Sequence, residues 1–244
     1  MNWREEYMGR YYRSIEGWKD GTAEFFDMLV TGVPASAKVL ELGPGPANAV
    51  TAFLSENFKS VDGLDIDPAC SDNIHLREVL VYDGGSFPVD DDGYDAVVCN
   101  YVLEHVENPE KTVAEIRRVL RPGGVFAFRT PNRFHYVSLI SALTPHWFHR
   151  LAANRARKLE GDTEDPYPTF YRMNTSGKIR KLFENNGFAE LVLRTIEKEP
   201  SYGMFHPAVF LLFMLYERVV NSCVEFSPLR ANILGVFRLG DQSI

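Results

Sequence analysis

The chain of 244 residues is 45% hydrophobic and 24% charged, a globular composition that excludes a disordered polymer and fits one large domain. A formal net charge of −7 repels phosphate backbones and argues against a general nucleic-acid binder. Cys70, Cys99 and Cys223 fit no zinc or disulfide framework, and the N-terminus MNWREEYMGRYY has no apolar signal core, so a cytoplasmic protein without a structural metal is expected.

Residues 1–33 read as one or two helices rich in Tyr7, Tyr11, Tyr12 and Trp18, with Phe25, Phe26 and Leu29 at helical spacing. Strands and helices then alternate. Lys38–Leu42 (KVLEL) is a first strand, and Ala49–Phe58 a helix with Val50, Phe53 and Leu54 on one face. Ser60–Ile66, Glu78–Tyr82 and Tyr94–Asn100 are the next strands. Pro109–Leu120 is a helix, stopped by Arg121-Pro122-Gly123-Gly124, and Val125–Thr130 is a fifth strand. After an irregular stretch come a helix at Asn174–Asn186, a strand at Phe188–Ile196, an apolar helix at Pro207–Asn221 and a short strand at Val236–Leu239. This order implies a parallel sheet with right-handed crossovers, whose ligand lies at the carboxyl ends of the strands.

Three segments at those ends carry chemistry. In VLELGPGPANAV, residues 39–50, Gly43 and Gly45 allow positive φ and close backbone approach, and the following helix start favours an anionic group. The alternative is a plain strand–helix turn. Asp65, in VDGLDIDP, stands roughly 20 residues beyond the glycine turn, where a carboxylate accepts from ribose hydroxyls; Asp67 before Pro68 suits a helix cap. Asp83 ends the third strand beside Gly84, and Asn100 and Tyr101 end the fourth at the middle of the crevice.

ELGPGP, GLDID, DGG-x-x-P, LEHVENP and RPGG-x-x-x-x-RTPN follow one another in this order. Together they resemble the core of a class I S-adenosylmethionine-dependent methyltransferase of the Methyltransf_11 type, over about residues 36–133. The resemblance implies an α/β, Rossmann-like fold. Its central, mostly parallel seven-stranded sheet has helices on both faces. Extra helices stand at the N-terminus, after strand 5 and between strands 6 and 7. It implies a single domain with an N-terminal helical lid (1–33), a cofactor core (34–133), an acceptor-side insertion (134–175) and a C-terminal part (176–244). It also implies S-adenosylmethionine as cofactor, with S-adenosylhomocysteine as product. By the same resemblance Glu41 positions the methionine end, Gly43 and Gly45 let the backbone approach, and Asp65 holds the ribose. Ile66 packs on adenine, Asp83 and Gly84 read its edge, and Asn100 and Tyr101 lie near the amino group and sulfonium. Ala47 replaces a frequent third glycine, and the short span after Pro68 leaves the usual helix shortened or missing.

The acceptor is less legible. His105, in LEHV, can serve as a base or simply pack under its loop; His135 is the alternative base. His146 and His149 complete a trio whose spacing matches no closed metal site. Arg129, Arg133, Arg150, Arg155 and Arg157 can hold an anionic acceptor or stand as solvated charges. Tyr12 and Trp18 either close over the cofactor or staple a helix to the sheet. The apolar run Ala208–Tyr216 is too short to span a bilayer, which takes roughly 20 residues. Its helix reads as core, dimer contact or acceptor cover, with membrane association less favoured. A small hydroxylated acceptor is expected, O-methylated as a saccharide, glycan intermediate or related metabolite. The alternatives are a lipid or quinone acceptor, or a non-catalytic accessory subunit that binds the cofactor.

Overall fold

The computed structural model describes residues 2–138 and 167–240. In chain order it contains α1 (Trp3–Met8), a π turn (Gly9–Arg13), α2 (Gly21–Gly32), β1 (Lys38–Leu42), α3 (Ala49–Asn57) and β2 (Ser60–Asp65). A 3-10 turn (Pro68–Asp72), β3 (Glu78–Val81), β4 (Tyr94–Asn100), a second 3-10 turn (Leu103–His105), α4 (Pro109–Val119) and β5 (Leu120–Pro131) follow. The last elements are α5 (Ser176–Asn185), β6 (Phe188–Ile196), α6 (Pro207–Asn221) and β7 (Asn232–Leu239). The strands form one seven-stranded sheet of order β3-β2-β1-β4-β5-β7-β6. The β1–β2, β1–β4, β2–β3 and β4–β5 pairs are parallel. The order reverses between β1 and β4, the switch point at which such sheets bind ligands.

Local chemistry sets the helix starts. Asn48 accepts from Val50 and Thr51 N–H at the head of α3, and Asn108 accepts from Lys111 N–H ahead of Pro109 in α4. The reach after Pro68 is too short for a full helix and closes as the 3-10 turn, capped by Asp67. β5 begins earlier than its sequence suggests. Leu120 pairs with Tyr94 and Val125 with Ala96, so Arg121–Gly124 bulges out between two stretches of regular register.

The chain divides into two compact units: a larger one of Phe25–Pro131, Thr169–Arg194 and Ile233–Ile244, and a smaller one of Met1–Glu24, Asn132–Pro168 and Thr195–Asn232. In the larger unit one sheet face carries Leu40, Leu42, Leu64, Val97, Cys99, Phe126 and Phe128 into the main core, against Val113 and Ile116 of α4 and Ile179 and Phe183 of α5. The Phe126 and Phe183 rings stack at 5.0 Å. Each fully buried side chain of this kind contributes about 1.5–3 kcal/mol, before the entropy of ordering it is subtracted.

The smaller unit is built on aromatic edges. Met8, Tyr12 and Phe210 are its buried centre, ringed by Trp3, Tyr7 and Trp18. Tyr12 is fully buried; its ring meets Trp18 at 5.4 Å and its hydroxyl donates to Glu217 at 3.2 Å. Tyr12 thus staples the N-terminal helix to α6 and has no exposed surface with which to cover a ligand. Helix α6 also departs from a core reading. Only Phe210, Glu217 and Val220 are buried, while Leu212 and Leu215 are 61% and 60% exposed and Leu211 and Val219 lie beside them. No helix among the described residues is long and apolar enough to cross a membrane.

Candidate active site

Strand parity collects the polar residues at the carboxyl ends of the sheet in the larger unit. Partners in register point to one face, and so do residues two apart on a strand. Glu41 is in register with Gly63 on one side and Val98 on the other, and Asn100 with Arg129. Asp65, Glu41, Asn100 and Arg129 therefore share the face opposite the main apolar core.

The glycine turn is tied down from several sides. Gly43 (φ +65°) donates to the Leu64 carbonyl at 2.8 Å. A Cβ on Gly43 would meet Val102 Cγ2 at 2.4 Å, whereas one on Gly45 (φ +60°) would meet open space. Gly45 N–H donates to Asp65 Oδ2 at 2.8 Å, and Asp67 N–H to Asp65 Oδ1 at 3.0 Å. An ionised carboxylate offers about four acceptor sites, so Asp65 keeps capacity for two hydroxyls. Asn73, buried and unassigned in sequence, donates to the Gly45 carbonyl and to Thr51 Oγ1, both at 3.2 Å. It braces the glycine turn from the β2–β3 connection.

Glu41 is buried below this turn, and burial pushes its carboxyl up to about 7 against the pull of a Thr51 hydrogen bond. Its Oε2 is buried without a hydrogen-bond partner, which marks the floor of the turn as prepared for a donor. Beyond Asp65, Ile66 is half-exposed, and a Cβ on Gly84 (φ +80°) would come to 3.9 Å from it. Asp83 is exposed and accepts from Gly85 N–H at 2.8 Å, which fixes its carboxylate on the turn.

At the end of β4, Tyr101 takes a positive φ of 56°, rare for a residue with a side chain, and its N–H donates to the Arg129 carbonyl at 2.8 Å. Arg129 is not a solvated charge: it is 5% exposed, and its guanidinium lies 4.6 Å from the Tyr101 ring and 5.1 Å from that of Phe25. His105 is half-buried at the end of its 3-10 turn. Its neighbour Glu104 has no signal of its own in the sequence beyond its place in LEHVENP. Glu104 is buried, accepts from Thr130 Oγ1 at 3.1 Å, and is pushed up to about 7 by burial. Asn174 donates to the same hydroxyl at 2.6 Å.

His135 lies in the smaller unit. It is buried, with Nε2 3.5 Å from Glu197 Oε2; burial holds the imidazole down near 4 and raises Glu197 to about 8. Trp18 is half-buried on Tyr12. His146, His149, Arg150, Arg155 and Arg157 lie outside the described residues.

These features fit S-adenosylmethionine on their own terms: a turn closed to a Cβ at Gly43, an orphaned buried carboxylate oxygen at Glu41, and an aspartate with acceptor sites to spare. The family model Methyltransf_23, described as a methyltransferase domain, matches residues 8–192. The chain belongs to that family. Among curated proteins it is 36% identical over 106 residues to a probable S-adenosylmethionine-dependent methyltransferase of Mycolicibacterium smegmatis, covering 42% of this chain and 41% of that one. It is 32% identical over 132 residues to the thiol S-methyltransferase TMT1B of Mus musculus, covering 49% and 52%. It is 32% identical over 114 residues to the demethylmenaquinone methyltransferase of Tropheryma whipplei, covering 42% and 46%. The matches thus span about half the length of these relatives. A solved S-adenosylmethionine-dependent methyltransferase from Mesorhizobium loti superimposes with a TM-score of 0.56 at 16% identity, covering 90% of this chain and 99% of that one.

Proposed function

We propose that this chain binds S-adenosylmethionine on the polar face of the larger unit and transfers its methyl group to a small-molecule acceptor. The observation that carries this reading is Asp65, whose carboxylate ties the glycine turn at 2.8 Å and keeps free acceptor sites at the end of β2. When bound, the cofactor supplies an electrophilic methyl group on a sulfonium. Asp65 holds the ribose hydroxyls, Ile66 and Gly84 form the adenine wall, and Asp83 accepts from its amino group. Glu41 fixes the amino-acid end from below the turn. The protein's share of the chemistry is alignment and exclusion of water. His105, half-buried on the turn that follows β4, takes a proton where the acceptor must lose one.

O-methylation of a saccharide or related metabolite is the acceptor class the downstream sequence suggests. A lipid or quinone is the second reading, supported by the exposed Leu211, Leu212, Leu215 and Val219 of α6 and by the quinone methyltransferase among the relatives. The test is a screen of acceptors with tritiated methyl donor, run beside Asp65→Ala. Label entering a defined small molecule with wild type, and lost with the variant, supports the reading. Cofactor binding without turnover on any acceptor class would favour an accessory subunit. Flotation with liposomes separates the two acceptor classes, since a lipid-directed enzyme should associate with them.

A further inference from the structure

An open cavity of about 440 Å³ lies in the larger unit at the amino ends of β4 and β5, the end of the sheet opposite Asp65 and Asn100. Its size falls in the range of small-molecule sites, roughly 300–1,000 Å³. The bulge of β5, the end of α2 and Arg238 of β7 meet on it. Glycine builds the bulge: Gly123 takes a φ of +77°, and a Cβ on Gly124 would come to 2.7 Å from the Arg121 carbonyl oxygen. Arg121 is thereby turned to Asp95, donating from Nη1 to Oδ1 at 2.7 Å, and from Nε to the Asp92 carbonyl at 3.1 Å. The second oxygen of Asp95 accepts from Lys38 N–H at 2.8 Å, so both are engaged within the protein. Arg238, exposed on the same cavity, meets no acceptor among the described residues. One carboxylate thus faces two guanidinium groups, which are charged at every relevant pH. The cavity keeps a positive charge in a chain of formal net charge −7.

Helix α2 brings the other sign. It ends at Gly32, so the carbonyls of Val30, Thr31 and Gly32 have no partner within the helix. The residue that would close on Val30 is Pro34, which has no N–H to give. None of the three carbonyls accepts a hydrogen bond from a described residue, and the negative end of the helix dipole lies here as well. Val30, 51% exposed, and Pro34 add apolar surface to the cavity. A plain anion would meet the open carbonyls, and a plain cation the unneutralised guanidinium; a zwitterion satisfies both. We propose that this cavity is a second small-molecule site, taking an apolar α-amino acid with its carboxylate on Arg238, its ammonium on the α2 carbonyls and its side chain on Val30 and Pro34. The proposal stands apart from the cofactor reading, whose residues lie at the other end of the strands.

The test titrates L-leucine, L-phenylalanine and glycine into the full chain by calorimetry, beside N-acetyl-L-leucine, which lacks the ammonium, and L-leucinamide, which lacks the carboxylate. L-leucine or L-phenylalanine should saturate with a Kd below about 1 mM, and glycine and both derivatives should bind about tenfold more weakly or worse. Arg238→Gln should lose about tenfold for the same amino acid, the scale of one charge-assisted hydrogen bond. Its side chain is exposed and holds no described group, so the variant should unfold at the same denaturant concentration as wild type. Saturating S-adenosylhomocysteine should leave the amino-acid affinity unchanged. The proposal is overturned if neither apolar amino acid reaches that affinity, if either derivative binds as well as L-leucine, or if Arg238→Gln binds as well as wild type. Displacement of the amino acid by S-adenosylhomocysteine also overturns it, since the amino acid would then occupy the cofactor crevice. Failure of S-adenosylhomocysteine itself to bind would overturn the cofactor reading and leave Arg238→Gln to decide this one.

Discussion

The two units arrange polarity in opposite ways. The larger unit sets Asp65, Glu41, Asn100 and Arg129 at the strand ends of one sheet face, beyond the buried Val39, Val61, Val98 and Ala127, and carries its main apolar cluster on the other. The smaller unit buries His135, Glu197 and Glu217 and leaves Leu212 and Leu215 of α6 outside. A parallel sheet sorts residues by parity, so polar groups gather where the strands end. An assembly of three remote chain segments has no such rule. Its burial follows from which segment meets which, as Tyr12 meeting Glu217 shows.

The largest expected effect lies in the glycine turn. Gly43→Ala would set a Cβ against Val102 in a left-handed conformation, so it should cost about 2–4 kcal/mol in denaturant unfolding and more than tenfold in S-adenosylhomocysteine affinity. Gly45→Ala meets open space and should cost about 1 kcal/mol of backbone strain. Equal losses at the two positions would show that the fit of Gly43 against Val102 is not what closes the turn.

Next comes the pH response of Glu41. Its folded carboxyl titrates near 7 against 4.5 when exposed, so the folded state binds more protons between those values. The stability this brings is full below about pH 4.5 and is lost as pH rises through 7, by up to about 3 kcal/mol. Glu41→Gln should flatten that part of the unfolding free energy measured from pH 5 to 8. It should also abolish a rise in S-adenosylhomocysteine affinity over the same range, because only the ionised carboxylate attracts an ammonium. A variant as pH-sensitive as wild type in both measurements would remove Glu41 from the ligand.

Tyr12→Phe sharpens the contrast between the units. Losing the hydroxyl should leave Glu217 short of one donor and cost about 1 kcal/mol of stability, with S-adenosylhomocysteine affinity unchanged in calorimetry. Weaker binding would return the N-terminal aromatics to the role of a cofactor lid. The smallest effect belongs to Leu215→Asp, which changes an exposed position and should alter stability by no more than about 0.5 kcal/mol. A larger loss would mean that this face is covered in solution.

Much of the larger unit is legible in the chain. The alternation of KVLEL and YDAVVCN bounds β1 and β4 at the residues the structure shows, and Pro109 and Pro207 mark the starts of α4 and α6. Asp65 and the glycines are found by their distance from strand ends. Asn73 and Glu104 are not, because their importance lies in contacts with Gly45 and Thr130, 28 and 26 residues away, that no local pattern announces. The early start of β5 was hidden by Arg-Pro-Gly-Gly, which reads as a stop although the pairing resumes beyond it. For α6 the helical period gave the element but not its neighbours, so core, dimer contact and acceptor cover all stay open readings of an apolar helix whose Leu212 and Leu215 are exposed.

The central claim is that the polar face of the larger unit is a cofactor site, and titration of S-adenosylhomocysteine into wild type and Asp65→Ala by calorimetry tests it most directly. The account predicts saturable one-to-one binding to wild type and a loss of about fivefold or more in the variant, the cost of at least one ribose hydrogen bond. No heat of binding with folded wild type, or equal affinity in the two proteins, would contradict it.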